Sequence, residues 1–128
     1  MIYPVIGDAA SPATVEHVLS RLPPVHDRGP VLVFLDDNHN AAHVSAEMEL
    51  FAPLVTLDSY LIVADTVFED LAGTPLGRAT GKYPDMAKSN PRVAVRQFLA
   101  RRTDFVLDTR FSDCGQSNFS DGFLRRIA

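Results

Sequence analysis

Five apolar residues, Val31-Leu32-Val33-Phe34-Leu35, run without interruption into Asp36-Asp37-Asn38-His39. A continuous apolar run rich in Val and Leu reads as a strand buried on both faces, the habit of a parallel sheet between helices. A second run, Ser59-Tyr60-Leu61-Ile62-Val63-Ala64, ends the same way on Asp65-Thr66. Open parallel sheets bind ligands in the crevice beyond the carboxyl ends of their strands. Two buried strands that each deliver an aspartate to one edge therefore suggest a metal or acid–base centre.

The rest of the chain fits around these runs. Ile2 to Ile6 reads as a first strand, closed by Gly7-Asp8. Ser11-Pro12 reads as a helix cap with proline at the first helical position. Val15, Val18, Leu19 and Leu22 follow at helical spacing until Pro23-Pro24 stops them. A helix over 39–52 would align Ala41, Val44, Met48 and Phe51 on a core-facing stripe. Asn90-Pro91 repeats the cap-plus-proline start and opens a helix through Arg102. Strand, helix, strand, helix, strand is the order of right-handed crossovers, so the prediction is an α/β fold with a mostly parallel sheet. Strands at 105–107 and 123–127 would form a late antiparallel pair or lie at an edge. Residues 66–90 carry Gly73, Pro75, Gly77, Gly81 and Pro84 and read as a lid or flexible loop on a single domain, 1–128.

Charge narrows the partners. A net charge of −4 and a pI near 5.4 argue against nucleic acid and anionic membrane. The late arginines, from Arg92 to Arg126, are interrupted by acids and read as a solvated helix face. Cys114 is the sole cysteine, which suits a reducing compartment. No apolar stretch approaches the roughly 20 residues of a membrane span, and Met1-Ile2-Tyr3-Pro4 does not open a secretory signal. A cytoplasmic protein is expected.

Asp36 and Asp65 are the leading candidates for shared ligation of a hard cation such as Mg²⁺. Asp37 and Asn38 compete with them, because the sequence does not say which side chain turns inward. His39 suits a general base. One helical turn separates it from His43, and that pair would offer two ligands to a transition metal. Gly7-Asp8 is either a ligand-receiving strand end or an ordinary turn. Ser112, Cys114 and Ser117 have no evident histidine partner for nucleophilic catalysis.

The segments Gly7-Asp8…Thr14-Val15-Glu16, Val31 to His39, Tyr60 to Thr66, Asn90 to Leu99 and Gly122 to Arg126 occur in this order. The series resembles the cephalosporin hydroxylase and rhamnosyl O-methyltransferase family. The resemblance implies a Rossmann-like, three-layer fold and S-adenosylmethionine-dependent, Mg²⁺-assisted methylation of a hydroxyl on a small molecule or sugar. Carried over by position, Asp36 and Asp65 would be metal ligands, His39 the base, and Asp8 would lie near the cofactor's adenine. The family carries Glu-Asp where this chain has Ala64-Asp65, which leaves Asp37 or Asn38 to replace the missing ligand. No Gly-x-Gly occurs in the chain. It therefore resembles the C-terminal half of the family domain, and self-association or a complementing N-terminal half would supply the remainder. Two other readings stand beside this one. The first is a non-catalytic module that pairs through an exposed edge at Ile2–Ile6. The second is a receiver-like phosphoacceptor at Asp36, which lacks the acidic pair and late lysine it needs.

Overall fold

The computed structural model describes residues 2–79, 85–112 and 117–128. Four strands, β1 (Val33–Leu35), β2 (Tyr60–Val63), β3 (Phe105–Leu107) and β4 (Phe123–Arg126), form one sheet in the order β1-β2-β4-β3. β1 and β2 are parallel, with Val33 opposite Leu61 and Leu35 opposite Val63. β4 runs antiparallel to both β2 and β3. Three strands thus share a direction, and the antiparallel one is inserted between them. The architecture is α/β and partially Rossmann-like.

β1 is shorter than the apolar run because Thr56 captures its first residue. The Val31 N–H donates to Thr56 Oγ1 at 2.9 Å, and the Val31 carbonyl accepts from the Thr56 N–H at 3.2 Å. The ladder with β2 begins beyond that clasp.

Both long helices are capped by asparagine. In α2 (Ala41–Phe51), Asn40 accepts from the Ala42 N–H at 2.9 Å, and Ser89 Oγ accepts from the Ala41 N–H at 3.0 Å. In α5 (Pro91–Arg101), the buried Asn90 accepts from the Val93 N–H at 3.0 Å and donates to the Met86 carbonyl at 2.8 Å. Each cap satisfies a donor that the first helical turn otherwise leaves unpaired. Val44 and Met48 of α2 pack with Ala94, Val95 and Phe98 of α5 over Leu35, Leu61, Val63, Phe105 and Leu124 of the sheet. The expected stripe on α2 is present, with Met48 fully buried. α1 (Pro12–Arg21) packs against α2.

Helices therefore cover one face of the sheet. On the other face, aromatic side chains from the segment before β4 lean on the strands. Phe119 lies 5.9 Å from Phe34 and 5.8 Å from Phe123, and Phe111 lies 5.0 Å from Phe123 between ring centroids.

The expected first strand does not form. Residues 2–6 join no ladder, and Ile2 and Ile6 are 93% and 97% exposed. Pro4 lacks an N–H to donate, and apolar sequence without a partner strand has no hydrogen bonds to gain. β1 and β3 are the two edges of the sheet, and β1 carries half-exposed Phe34 with half-exposed Leu32 just before it. Within the expected lid, α3 (Phe68–Leu71) and α4 (Pro75–Ala79) are short helices, and residues 80–84 lie outside the described residues. Among the described residues no helix is long and apolar enough to cross a membrane.

Candidate active site

β1 and β2 end side by side, where the Ala64 N–H donates to the Leu35 carbonyl at 2.9 Å. That bond delivers Asp36 and Asp65 to the same edge. Ligand atoms of Asp36, His39 and Asp65 lie within 4.8 Å of one another. His39 Nε2 sits 2.6 Å from Asp65 Oδ2, and its ring stacks on Phe68 at 4.6 Å between centroids. Both side chains are largely shielded, His39 at 14% exposure and Asp65 at 24%, whereas Asp36 is open to solvent. The sequence-predicted trio is brought together.

Asp65 itself has φ of 53°. A non-glycine residue in that left-handed region is uncommon, although aspartate tolerates it better than most. The turn aims the carboxylate back across the strand end towards His39. It is supported from β4, where the Gly122 carbonyl accepts from the Val63 N–H at 2.8 Å. Thr66, fully buried, donates to the Asn118 carbonyl at 3.4 Å and ties the segment before β4 to the same corner.

Neither expected substitute for the missing ligand at Ala64 turns to this trio. Asn38 accepts from the Asn40 N–H at 2.9 Å and is spent on the turn into α2. Asp37 points the other way and lies 3.4 Å from His43 Nε2. The predicted His39–His43 pair also dissolves, because α2 begins at Ala41 and His39 precedes it. Helical spacing does not apply to a residue outside the helix. His39 goes with Asp65, and His43 goes with Asp37.

His43, Asp37 and Glu47 form a second group whose ligand atoms also lie within 4.8 Å of one another. Glu47 is 2% exposed. Burial, reinforced by Asp37 and then Asp8, pushes its carboxyl up from 4.5 to about 8. Asp8 is exposed; its Oδ1 accepts from the Ala10 N–H at 2.9 Å and lies 3.9 Å from His43 Nε2. Cys114 lies outside the described residues, so its expected lack of a partner has no structural counterpart here.

The arginine-rich stretch is not wholly a solvated face. Arg92 is buried and forks onto Asp70 at 2.8 and 2.9 Å, with Glu69 at 3.4 Å and Asp121 at 3.4 Å. Arg96 adds a second clasp on Glu69. These pairs pin α3, and with it Phe68 under the His39 ring, to α5. Removing a buried fork leaves charges unpaired, although Asp70 is half in water. Arg92→Ala should cost about 1–3 kcal/mol in denaturant unfolding. An unchanged midpoint would mean that α3 is held by packing alone.

Beside α3 lies a cavity of about 870 Å³ lined by Val67, Leu71, Leu76, Asp70, Ser117 and Asn118. It starts two residues past Asp65 and combines apolar walls with hydroxyl and amide groups. Another, of about 490 Å³, lies at the opposite end of the strands between Val31, Thr56 and Ile127.

A family model for rhamnosyl O-methyltransferase/CmcI matches residues 2–127. The chain belongs to the rhamnosyl O-methyltransferase/CmcI family. Neither a curated protein nor a solved structure matches it. This family is one of O-methyltransferases, and the match runs through all four strands of the sheet and both capped helices.

Glu47, Phe68 and Arg92 were not singled out by sequence reasoning. The one available signal was the i, i+4 spacing of His43 and Glu47 on α2, which the apolar stripe beside it obscured.

Proposed function

We propose that the chain takes part in S-adenosylmethionine-dependent, Mg²⁺-assisted O-methylation of a small-molecule or sugar hydroxyl. The observation that carries this reading is the convergence of Asp36, His39 and Asp65 at the adjoining ends of β1 and β2. The donor set suits the ion, since Mg²⁺ is commonly held by one or two carboxylates together with water and substrate oxygens. When bound, Mg²⁺ favours the deprotonated form of an acceptor hydroxyl, and S-adenosylmethionine supplies the methyl group.

The chain's own residues do the rest. Asp36 and Asp65 would hold the cation. A carboxylate has two oxygens, so Asp65 can orient His39 through Oδ2 and keep the other for ligation. His39, oriented by Asp65, is the group that takes the hydroxyl proton. Phe68 and α3 keep the ring in place, and the cavity beside Val67 receives the acceptor. Catalysis of this kind is mostly positioning. Asp8 lies towards the adenine of the methyl donor. The donor's methionine and ribose ends have no Gly-x-Gly turn in this chain, so a second copy or a complementing N-terminal half provides their seat. Self-association would use the free edge of β1 beside Leu32 and Phe34.

Calorimetric titration of Mg²⁺ and of S-adenosylmethionine into the parent, Asp36→Ala and Asp65→Ala tests the reading. Mg²⁺ binding should vanish in both variants while their far-ultraviolet circular dichroism stays that of the parent. Methyl transfer, in an assay with a complementing partner where one is needed, should fall roughly 100-fold or more. Variants that bind Mg²⁺ like the parent would remove the site. Sedimentation of the same samples as strict monomers would remove the self-association.

A further inference from the structure

The second cluster has a chemistry that the methyl-transfer reading does not use. His43 and Glu47 stand four residues apart on α2, so they share one face, and Asp37 reaches them from the loop before the helix. One ligand atom from each lies within 4.8 Å of the others, with Asp8 Oδ1 at 3.9 Å from His43 Nε2. Three carboxylates thus surround one imidazole.

The buried end of this group is short of positive charge. Glu47 is 98% removed from solvent, and the charged groups that face it there, Asp37 and Asp8, are both acidic. His43 Nε2 is buried and has Asp37 Oδ2 at 3.4 Å, without hydrogen-bond geometry. A buried carboxyl that faces other carboxylates is costly to ionise unless a cation joins it.

We propose that Asp37, His43 and Glu47 bind a divalent first-row transition ion of the Zn²⁺ type. One imidazole and two carboxylates are the ligand types such ions take, and three protein ligands leave a fourth position for water or for Asp8. Mg²⁺ favours oxygen-only surroundings and suits the other trio better. The ion would tie the loop at Asp37 to the second turn of α2. That loop carries Asp36 and His39, so the ion would also brace the strand-end site. The inference stands whether or not the chain transfers methyl groups.

The test uses the whole chain, stripped with chelator and titrated with Zn²⁺ by calorimetry, then with Co²⁺ as an optical probe. One ion per chain should bind, with visible Co²⁺ bands of a nitrogen–oxygen site. His43→Ala and Glu47→Gln should each weaken binding roughly tenfold or more, and Asp65→Asn should leave it within about twofold. His43 is a quarter exposed, so its variant reads the site independently of the Glu47 variant. Absence of binding, or unchanged affinity in His43→Ala, would overturn the proposal. So would loss in Asp65→Asn equal to that in His43→Ala, which would move the ion to the strand-end trio. A thiolate charge-transfer band that disappears in Cys114→Ser would move it to Cys114 and overturn the proposal as well.

Discussion

Stripped of divalent ions at pH 8, Glu47→Gln should be more stable than the parent by about 3 kcal/mol. The carboxyl is raised from 4.5 to about 8 in the folded protein, chiefly by burial and next by Asp37. Below pH 4.5 both folded and unfolded chains hold the proton, and the group adds nothing to the pH dependence. Between 4.5 and 8 the unfolded chain releases its proton while the folded chain keeps it. The stability that the protonated carboxyl contributes is therefore lost as pH rises through that window and is fully lost above it. A shift of this size corresponds to several kcal/mol, and about 3 allows for the solvent that reaches the Asp37 side of the cluster. Glutamine keeps the shape and has no proton to lose. Urea unfolding of both proteins at pH 5 and pH 8 checks the claim. The parent should weaken across the interval, the variant should stay level, and the two should nearly coincide at pH 5. Equal slopes would mean that Glu47 ionises freely in the folded protein.

Gly122→Ala should cost about 3 kcal/mol and loosen the corner at Asp65. A Cβ on Gly122 would lie 2.3 Å from the Val63 carbonyl oxygen and 3.1 Å from that of Phe119. Backbone cannot yield as a flexible side chain does, so β4 would have to part from β2, and overpacking of this kind is expensive. The bond from the Val63 N–H to the Gly122 carbonyl spans the same gap. Thermal unfolding would read the loss of stability. Faster amide exchange at Val63 and Ala64 would locate it. A variant as stable as the parent, with slow exchange retained at both amides, would show that the sheet absorbs the methyl group without parting.

The strand-end trio was legible because two apolar runs ending on aspartate leave little freedom in a parallel pair. The caps at Asn40 and Asn90 were legible in part: Asn90-Pro91 announced its helix, whereas the helix assigned to 39–52 begins at Ala41. That two-residue difference broke the expected partnership of His39 and His43. Ile2–Ile6 misled because apolar β-forming residues specify a strand only when an edge awaits them. Glu47 stayed hidden because it sits beside Met48 on the apolar stripe, and a pattern of apolar positions does not record a carboxylate buried among other acids. Arg92 was grouped with its neighbours by charge, although its partners Asp70 and Asp121 come from distant stretches of chain.

β4 is the latest strand in the order of the chain, yet it lies inside the sheet and joins β3 to β2. On a ribosome, β1 and β2 emerge first and must wait with an open edge for about sixty residues, until Phe123–Arg126 appears. Closure of that edge is a long-range event, which slows folding and leaves the nascent sheet open to misassociation meanwhile. The carboxylates at the strand ends would then gain their final setting only after the whole of β4 has been made.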